Sequence, residues 1–218
     1  MADGASRRSC GIFAKDAVSS ITDARPLTSA IVPSKTSPRS SERFDPRSYR
    51  VTETLKNGVA VTIRAVRPDD RERILLAFRK LDPESIYARF FTYKHELTEA
   101  ELKGFTEIDF DRRVVLLATV GGGESEIMIG GGSYTTYAPT TDGQSAEVAF
   151  TVEEDYQGHG VASRLLHHLA TIARQRGIDR FEAEMLPENR PMLSVFQRSG
   201  LLTGVATEDG VIRVTLRL

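Results

Sequence analysis

Two short stretches of this sequence carry residue types and spacing that could do chemistry together. Glu147 is the only acid in the run Ala146-Glu147-Val148-Ala149-Phe150-Thr151-Val152, whose other members are mostly small or apolar. After the turn Glu153-Glu154-Asp155-Tyr156 the chain continues Gln157-Gly158-His159-Gly160-Val161-Ala162-Ser163. A carboxylate among apolar neighbours is a candidate general base. Glycines that lead into a helix let backbone approach a ligand, and the first N–H groups of a helix have no internal acceptor. With the positive end of the helix dipole they form an anion site suited to phosphate.

Each of these residues also has a plainer reading. In a strand, Glu147, Ala149 and Thr151 share one face, while Val148, Phe150 and Val152 share the other. Alternation alone slightly favours a Glu147 that points outward to solvent. Gly158-His159-Gly160 opens a G-x-G-x-x-G dinucleotide pattern, but Ser163 stands where the third glycine belongs and the motif lies two-thirds along the chain. A nicotinamide cofactor is therefore disfavoured, even though Glu182 or Glu184 could serve as its acidic partner. Asn189 ahead of Arg190-Pro191 fits a helix cap. His167 and His168 are adjacent and point to different sides of a helix, so they read as solvated residues rather than, with His159, a metal site. Glu153-Glu154-Asp155 reads as an exposed acidic turn.

The elements that must position these groups follow from pattern. Asn57-Gly58 between residues 51–55 and 59–63 predicts a tight hairpin. Pro68-Asp69-Asp70 starts a helix with Ile74, Leu75, Phe78 and Leu81 on one face. Pro83 opens a second helix carrying Ile86, Tyr87, Phe90 and Phe91, and Thr98-Glu99-Ala100-Glu101 has the spacing of a capping box for a third. Residues 114–120 form a buried strand, and 127–137 its partner, with Gly130-Gly131-Gly132 placed for a bulge or close packing. The strand 146–152 feeds a helix with Val161, Leu165, Leu169, Ile172 and Ala173 on its core face, closed by Gly177. A strand at 180–185, a helix at 190–199 and a hairpin turning on Asp209-Gly210 complete the chain. The strands before and after the helix at 161 should be parallel neighbours, splayed by a bulge.

Composition bounds the answer. With 218 residues, 40% hydrophobic and 27% charged, the chain suits one globular domain plus a tail. Residues 1–45 are rich in Ser, Thr, Arg and Pro and read as a disordered tail, leaving 46–218 as the domain. A net charge of −1 gives no general case for nucleic acid. Residues 1–50 carry a surplus of +4, so the rest is mildly acidic at −5, which suits a basic substrate. Cys10 is the sole cysteine, which excludes an intramolecular disulfide or a cysteine-built zinc site. No apolar run approaches the roughly 20 residues of a membrane span, and no secretory signal is evident; a cytoplasmic location is expected.

Gln157-x-x-Gly160-x-Ala162 resembles the Q/R-x-x-G-x-G/A signature of the GNAT N-acetyltransferases, and it follows a strand and opens a helix as that family requires. Asn189-Arg190-Pro191-Met192-Leu193-Ser194-Val195-Phe196-Gln197-Arg198-Ser199-Gly200-Leu201 is similar to the family's second signature. The resemblance covers residues 59–218. Within the family, Ile63-Arg64-Ala65-Val66-Arg67-Pro68-Asp69-Asp70, Ser85-Ile86-Tyr87-Ala88-Arg89-Phe90-Phe91, the strand 146–152, and Leu186-Pro187-Glu188-Asn189-Arg190-Pro191-Met192 look like bacterial Pat-type protein lysine acetyltransferases.

That resemblance implies an α/β (mixed α+β) fold, a central twisted mixed sheet flanked by helices on both faces. It implies acetyl-CoA as acyl donor, no metal, and Glu147 as the general base. The backbone N–H of Val148 or Phe150 would polarise the thioester. Gly158, Gly160, Val161 and Ala162 would hold the pyrophosphate, with the Ser163 hydroxyl added, and Asn189 would meet the pantetheine arm. Val152, Gln157, His159, Met192 and Phe196 complete the implied cofactor-binding set. Phe196 departs from the pattern, because many members place there a tyrosine that protonates the leaving thiolate. A thiol of pKa about 8.5 can leave unassisted, and Tyr156 or water could serve instead.

The expected acceptor is the ε-amine of a protein lysine, such as that of an acyl-CoA synthetase. A small amine is the alternative, and a non-catalytic acyl-CoA sensor a more distant one. No nucleic-acid or membrane partner is expected, and the protein should be a monomer or homodimer.

Overall fold

Asn57 and Gly58 turn the chain where the sequence places a hairpin. Gly58 holds φ +84°, in the left-handed region, and its N–H bonds Leu55 O at 3.0 Å. This joins β1 (Arg50–Thr54) to β2 (Ala60–Ala65) in a computed structural model that describes residues 44–218. Nearly all of the expected tail, including Cys10, lies outside the described residues. A short 3-10 turn (Pro68–Asp70) leads into α1 (Arg71–Lys80), followed by α2 (Pro83–Phe90) and α3 (Glu99–Thr106). Thr98 and Glu101 make the expected reciprocal capping box on α3. Then come β3 (Arg113–Val120), β4 (Ile127–Thr136), β5 (Ser145–Val152), α4 (Val161–Gln175), β6 (Arg180–Met185), α5 (Arg190–Arg198), β7 (Leu202–Glu208) and β8 (Val211–Arg217).

The eight strands form one sheet in the order β1-β2-β3-β4-β5-β6-β8-β7. The β5–β6 pair is parallel and its neighbours are antiparallel, so the sheet is mixed as expected. α4 packs on one face of β3, β4 and β5, burying Leu165, Leu169, Ile172 and Ala173. Full burial of one such leucine stabilises the fold by about 1.5–3 kcal/mol. The glycines of β4 permit the close approach. A Cβ on Gly132 would stand 2.9 Å from Phe150 Cδ1 and 3.1 Å from Leu169 Cδ1, and one on Gly130 3.2 Å from Val161 Cγ1. α1, α2 and α3 cover the opposite face.

The splay of β5 from β6 arises differently from the expectation. Register pairs join only Ser145–Val152's first three residues, Ser145, Ala146 and Glu147, to Arg180, Phe181 and Glu182; beyond them the strands part. β4 and β5 stay in unbroken register from Gly130↔Val152 to Thr136↔Ala146, and the irregularity falls in the β3–β4 ladder, between Ala118 and Thr119. The skipped residue there is Ile129, fully buried, so the bulge serves core packing beside the glycines.

Two polar clusters pin the hairpin and the first helix. Arg64, 1% exposed, bonds both Asp70 carboxylate oxygens at 2.6 and 2.7 Å and Glu126 at 2.8 Å. The bidentate guanidinium holds the Glu126 carboxyl down to about 2. His168 was expected in solvent, but it is 4% exposed. Tyr49 Oη meets its Nδ1 at 2.6 Å, and its Nε2 meets Glu53 Oε1 at 3.1 Å. The ring thus ties α4 to the first hairpin, which explains why a polar residue sits on that helix's buried side. His167 is exposed.

Candidate active site on strand β5

The turn after β5 brings the glycine loop to the start of α4. Gly158 and Gly160 hold φ +77° and +94°, and Gly160 is the N-cap. Other residues adopt such angles at a cost of about 1–2 kcal/mol. Among the described residues, the N–H groups of Gly158, Gly160, Val161, Ala162 and Ser163 find no protein acceptor. They face a cleft of about 640 Å³ lined by residues 154–163, Lys56, Val152, Pro191, Ser194, Val195 and Arg198. Gln157 Nε2 donates to Val152 O at 3.1 Å, so this side chain fixes the turn. The His159 backbone carbonyl accepts from Lys56 N–H at 3.3 Å, which holds the first hairpin against the loop. Lys56 and Arg198 were not read from the sequence, because they come from other elements; both bring positive charge to the anion site.

Along β5 the backbone is poised for a guest. Glu153 N–H bonds Ile129 O at 3.0 Å, so alternation turns the N–H groups of Val148, Phe150 and Val152 away from β4 and toward β6. Val148 directly follows the last register pair, Glu147↔Glu182, and β6 has parted from β5 at Phe150 and Val152. The edge there offers donors free of β6 along a cleft that ends at the glycine loop. The side chains of Val148, Phe150 and Val152 are buried on the α4 side at 0–2% exposure. Met192 and Phe196 are both 0% exposed on α5, the Phe196 ring 6.4 Å from that of Phe150. Asn189 caps α5, its Oδ1 accepting from Met192 N–H at 3.2 Å, and is 3% exposed. The cap reading of Asn189 is thus realised.

Glu147 lies on the other face of β5, toward α1–α3, and is half-buried rather than turned out to solvent. Its row across the sheet is Arg113, Thr135, Glu147 and Glu182. Tyr137 hydrogen-bonds the Glu147 side chain; burial, then the charges of Glu147, Glu182 and Glu184, pushes its phenol well above the usual range. That phenol stays protonated at any physiological pH and can donate to the carboxylate. Further along, the acidic turn is not simply exposed. Glu154 accepts from Ser85 Oγ and from Asp82 N–H at 3.2 Å, holding the start of α2 against β5. A carboxylate there satisfies the donors of a helix N-terminus.

Beside Glu147's face lies a second space, an apolar cavity of about 90 Å³ under α1, α2 and α3. Phe90 packs there, its ring 6.0 Å from Phe78, whereas Tyr87 stacks on Tyr93 at 4.9 Å. Among the described residues no group of three His, Cys, Asp or Glu is placed to hold a metal, and no helix is long and apolar enough to cross a membrane. An elongated ligand with a phosphate at one end fits the cleft's free donors; Glu147 stands at the far end of β5, about 17 Å of strand from Val152.

Comparison with known proteins agrees with this geometry. The acetyltransferase (GNAT) domain model matches residues 60–202. A Pseudomonas aeruginosa acetyltransferase is 31% identical over 142 residues, which cover 64% of this chain and 74% of the relative. The acetyltransferase Pat of Mycolicibacterium smegmatis is 31% identical over 151 residues, 67% of this chain but only 42% of that protein's length. The GNAT domain of S. lividans PAT superposes with a TM-score of 0.70 at 38% identity, covering 78% of this chain and 97% of that one.

Proposed function

The chain belongs to the GNAT family of acetyltransferases, and from that premise we propose that it moves an acetyl group from acetyl-CoA to the ε-amine of a protein lysine, with Glu147 as general base. One observation carries the reading: a half-buried carboxylate and a loop of free N–H donors stand at opposite ends of one strand whose neighbour has parted from it. The Pat-type stretches and the similarity to the S. lividans PAT domain support a protein lysine over a small amine.

Acetyl-CoA supplies an activated thioester. The N–H groups of Gly158, Gly160, Val161 and Ala162 receive its pyrophosphate, with the Ser163 hydroxyl, Lys56 and Arg198 adding donors and positive charge. The N–H of Val148 or Phe150 donates to the thioester oxygen as negative charge develops there. An incoming lysine is an ammonium at neutral pH, and deprotonating it costs about 4.6 kcal/mol. Glu147 accepts that proton, directly or through water. Phe196 has no proton to give the leaving thiolate. Tyr156, which lines the cleft, and water are the remaining donors.

Free CoA release tests the reading, with acetyl-CoA offered alongside a lysine-bearing acyl-CoA synthetase or a panel of small amines. Release with the protein acceptor is the expected outcome. Release with small amines alone would overturn the lysine assignment, and binding of acetyl-CoA without release from any acceptor would mark a sensor.

A further inference from the structure

Arg89 is a buried charge, among the described residues, that the packing of the fold does not explain. It sits on α2 at 8% exposure and lines the apolar cavity beside Glu147's face. Its guanidinium carries five N–H donors, yet among the described residues it donates no hydrogen bond; it lies 5.3 Å over the Phe90 ring. Such a group is costly to bury without a partner. Burial, and then the nearby charge of Arg113, push Arg89 down to about 10, with Glu147 opposing.

Arg113 adds to the same positive region. Its Nη1 donates to Gly104 O at 2.9 Å and its head lies 5.3 Å over the Phe105 ring, while its Nε is buried without a partner. Two guanidinium groups with unused donors therefore flank the face on which Glu147 stands. The cavity's own acid, Glu153, is six residues farther along β5, about 20 Å of strand from Glu147. It does not figure among the charges acting on Arg89.

We propose that Arg89, backed by Arg113, receives a carboxylate carried by one of the two reacting molecules. A planar fork of donors matches a carboxylate in two parallel hydrogen bonds, and an apolar cavity admits the short carbon chain that bears it. The carboxylate has two sources: the far end of a dicarboxylic acyl group such as malonyl, or the acid group of an amino-acid-like acceptor. In either case it lies just beyond the carbonyl carbon, close to the amine that Glu147 deprotonates. The inference rests on the acyl-transfer reading of the β5 cleft.

Wild type, Arg89→Gln and Arg89→Lys are compared in two arms. The donor arm sets malonyl-CoA against acetyl-CoA with one amine; the acceptor arm sets a straight-chain amino acid against its alkylamine analogue with acetyl-CoA. The readout is the ratio of kcat/KM for the carboxylate-bearing reactant to that for the neutral one. In one arm this ratio should fall about tenfold to a hundredfold in Arg89→Gln and partly recover in Arg89→Lys, and that arm names the source. A ratio unchanged in both arms, with all reactants falling alike or not at all, overturns the proposal.

Thermal shift with the same four ligands reads the subsite without turnover, so it judges the proposal even if Glu147 proves not to be the base. Extra stabilisation of wild type by the carboxylate-bearing ligand, lost in Arg89→Gln, supports it. Equal shifts in the two proteins overturn it. Because Arg89→Gln removes an unpaired buried charge, the variant should fold with a Tm no lower than wild type.

Discussion

The glycine loop after β5 and the cavity under α1, α2 and α3, as proposed, would present positive charge to a ligand in different ways. The loop uses backbone N–H groups that are consecutive in sequence, from Gly158 to Ser163, so its geometry follows from local chain conformation. The cavity side uses Arg89 from α2, which lines it, and Arg113 from β3, whose charge acts on Arg89 from nearby. Glu147 stands at the opposite end of β5 from the loop, beyond the strand residues Ala149 and Thr151 that line the cavity. Recognition by backbone leaves a sequence signature, whereas recognition by assembled side chains leaves scattered residues that look ordinary until the fold collects them.

If the comparison holds, substitutions on the two sides should separate in kinetics. Glu147→Gln should lower kcat at neutral pH by about 10²- to 10⁴-fold while acetyl-CoA affinity stays near wild type. Gly132→Ala should not touch chemistry but should destabilise the packing of α4 by about 1–3 kcal/mol, because its Cβ would press on Phe150 at 2.9 Å. Thermal melts check this. Gly160→Val should raise the KM for acetyl-CoA about tenfold. The residue holds φ +94°, and a Cβ would fall 2.6 Å from Arg164 Nη1, so the loop would shift away from its binding geometry. A loss in kcat with unchanged KM would break the assignment of the loop to the cofactor.

Smaller effects sharpen the same division. Lys56→Ala should raise the KM for acetyl-CoA by no more than about fivefold, and the difference from wild type should shrink as salt rises. His168 should give the smallest effect. Burial lowers its folded pKa below the usual 6.5, so the fold favours the neutral ring. Its contribution to stability is complete above pH 6.5 and is lost as pH falls from there toward the folded value. The wild-type Tm should therefore drop on acidification below that point, and the Tm of His168→Gln should drop less.

Much of the fold was legible because its signals are local. The Asn57-Gly58 turn, the Thr98–Glu101 capping box and the β4 glycines each act through neighbours in sequence or through a side chain's absence. What escaped sequence reasoning depends on distant partners. His168 is buried because Tyr49, 119 positions away, hydrogen-bonds it. Glu154 is engaged by Ser85, 69 positions away. The strands β5 and β6 part without a bulge in β5, since the ladder irregularity sits at Ile129, where core packing demands it. Of the candidate site, the loop and Glu147 could be named from the sequence; Lys56, Arg198, Tyr137, Arg89 and Arg113 could not, as each reaches its place only through the folded sheet.

The central claim is that Glu147 takes the proton from the acceptor amine, and the pH dependence of kcat in wild type and Glu147→Gln tests it most directly. With the base removed, the variant should rely on amine that is already neutral. Its rate should climb about tenfold per pH unit from neutral pH toward the lysine pKa near 10.4 and narrow the gap to wild type. Near-normal turnover of Glu147→Gln at pH 7, or a deficit of constant size at every pH, would contradict it.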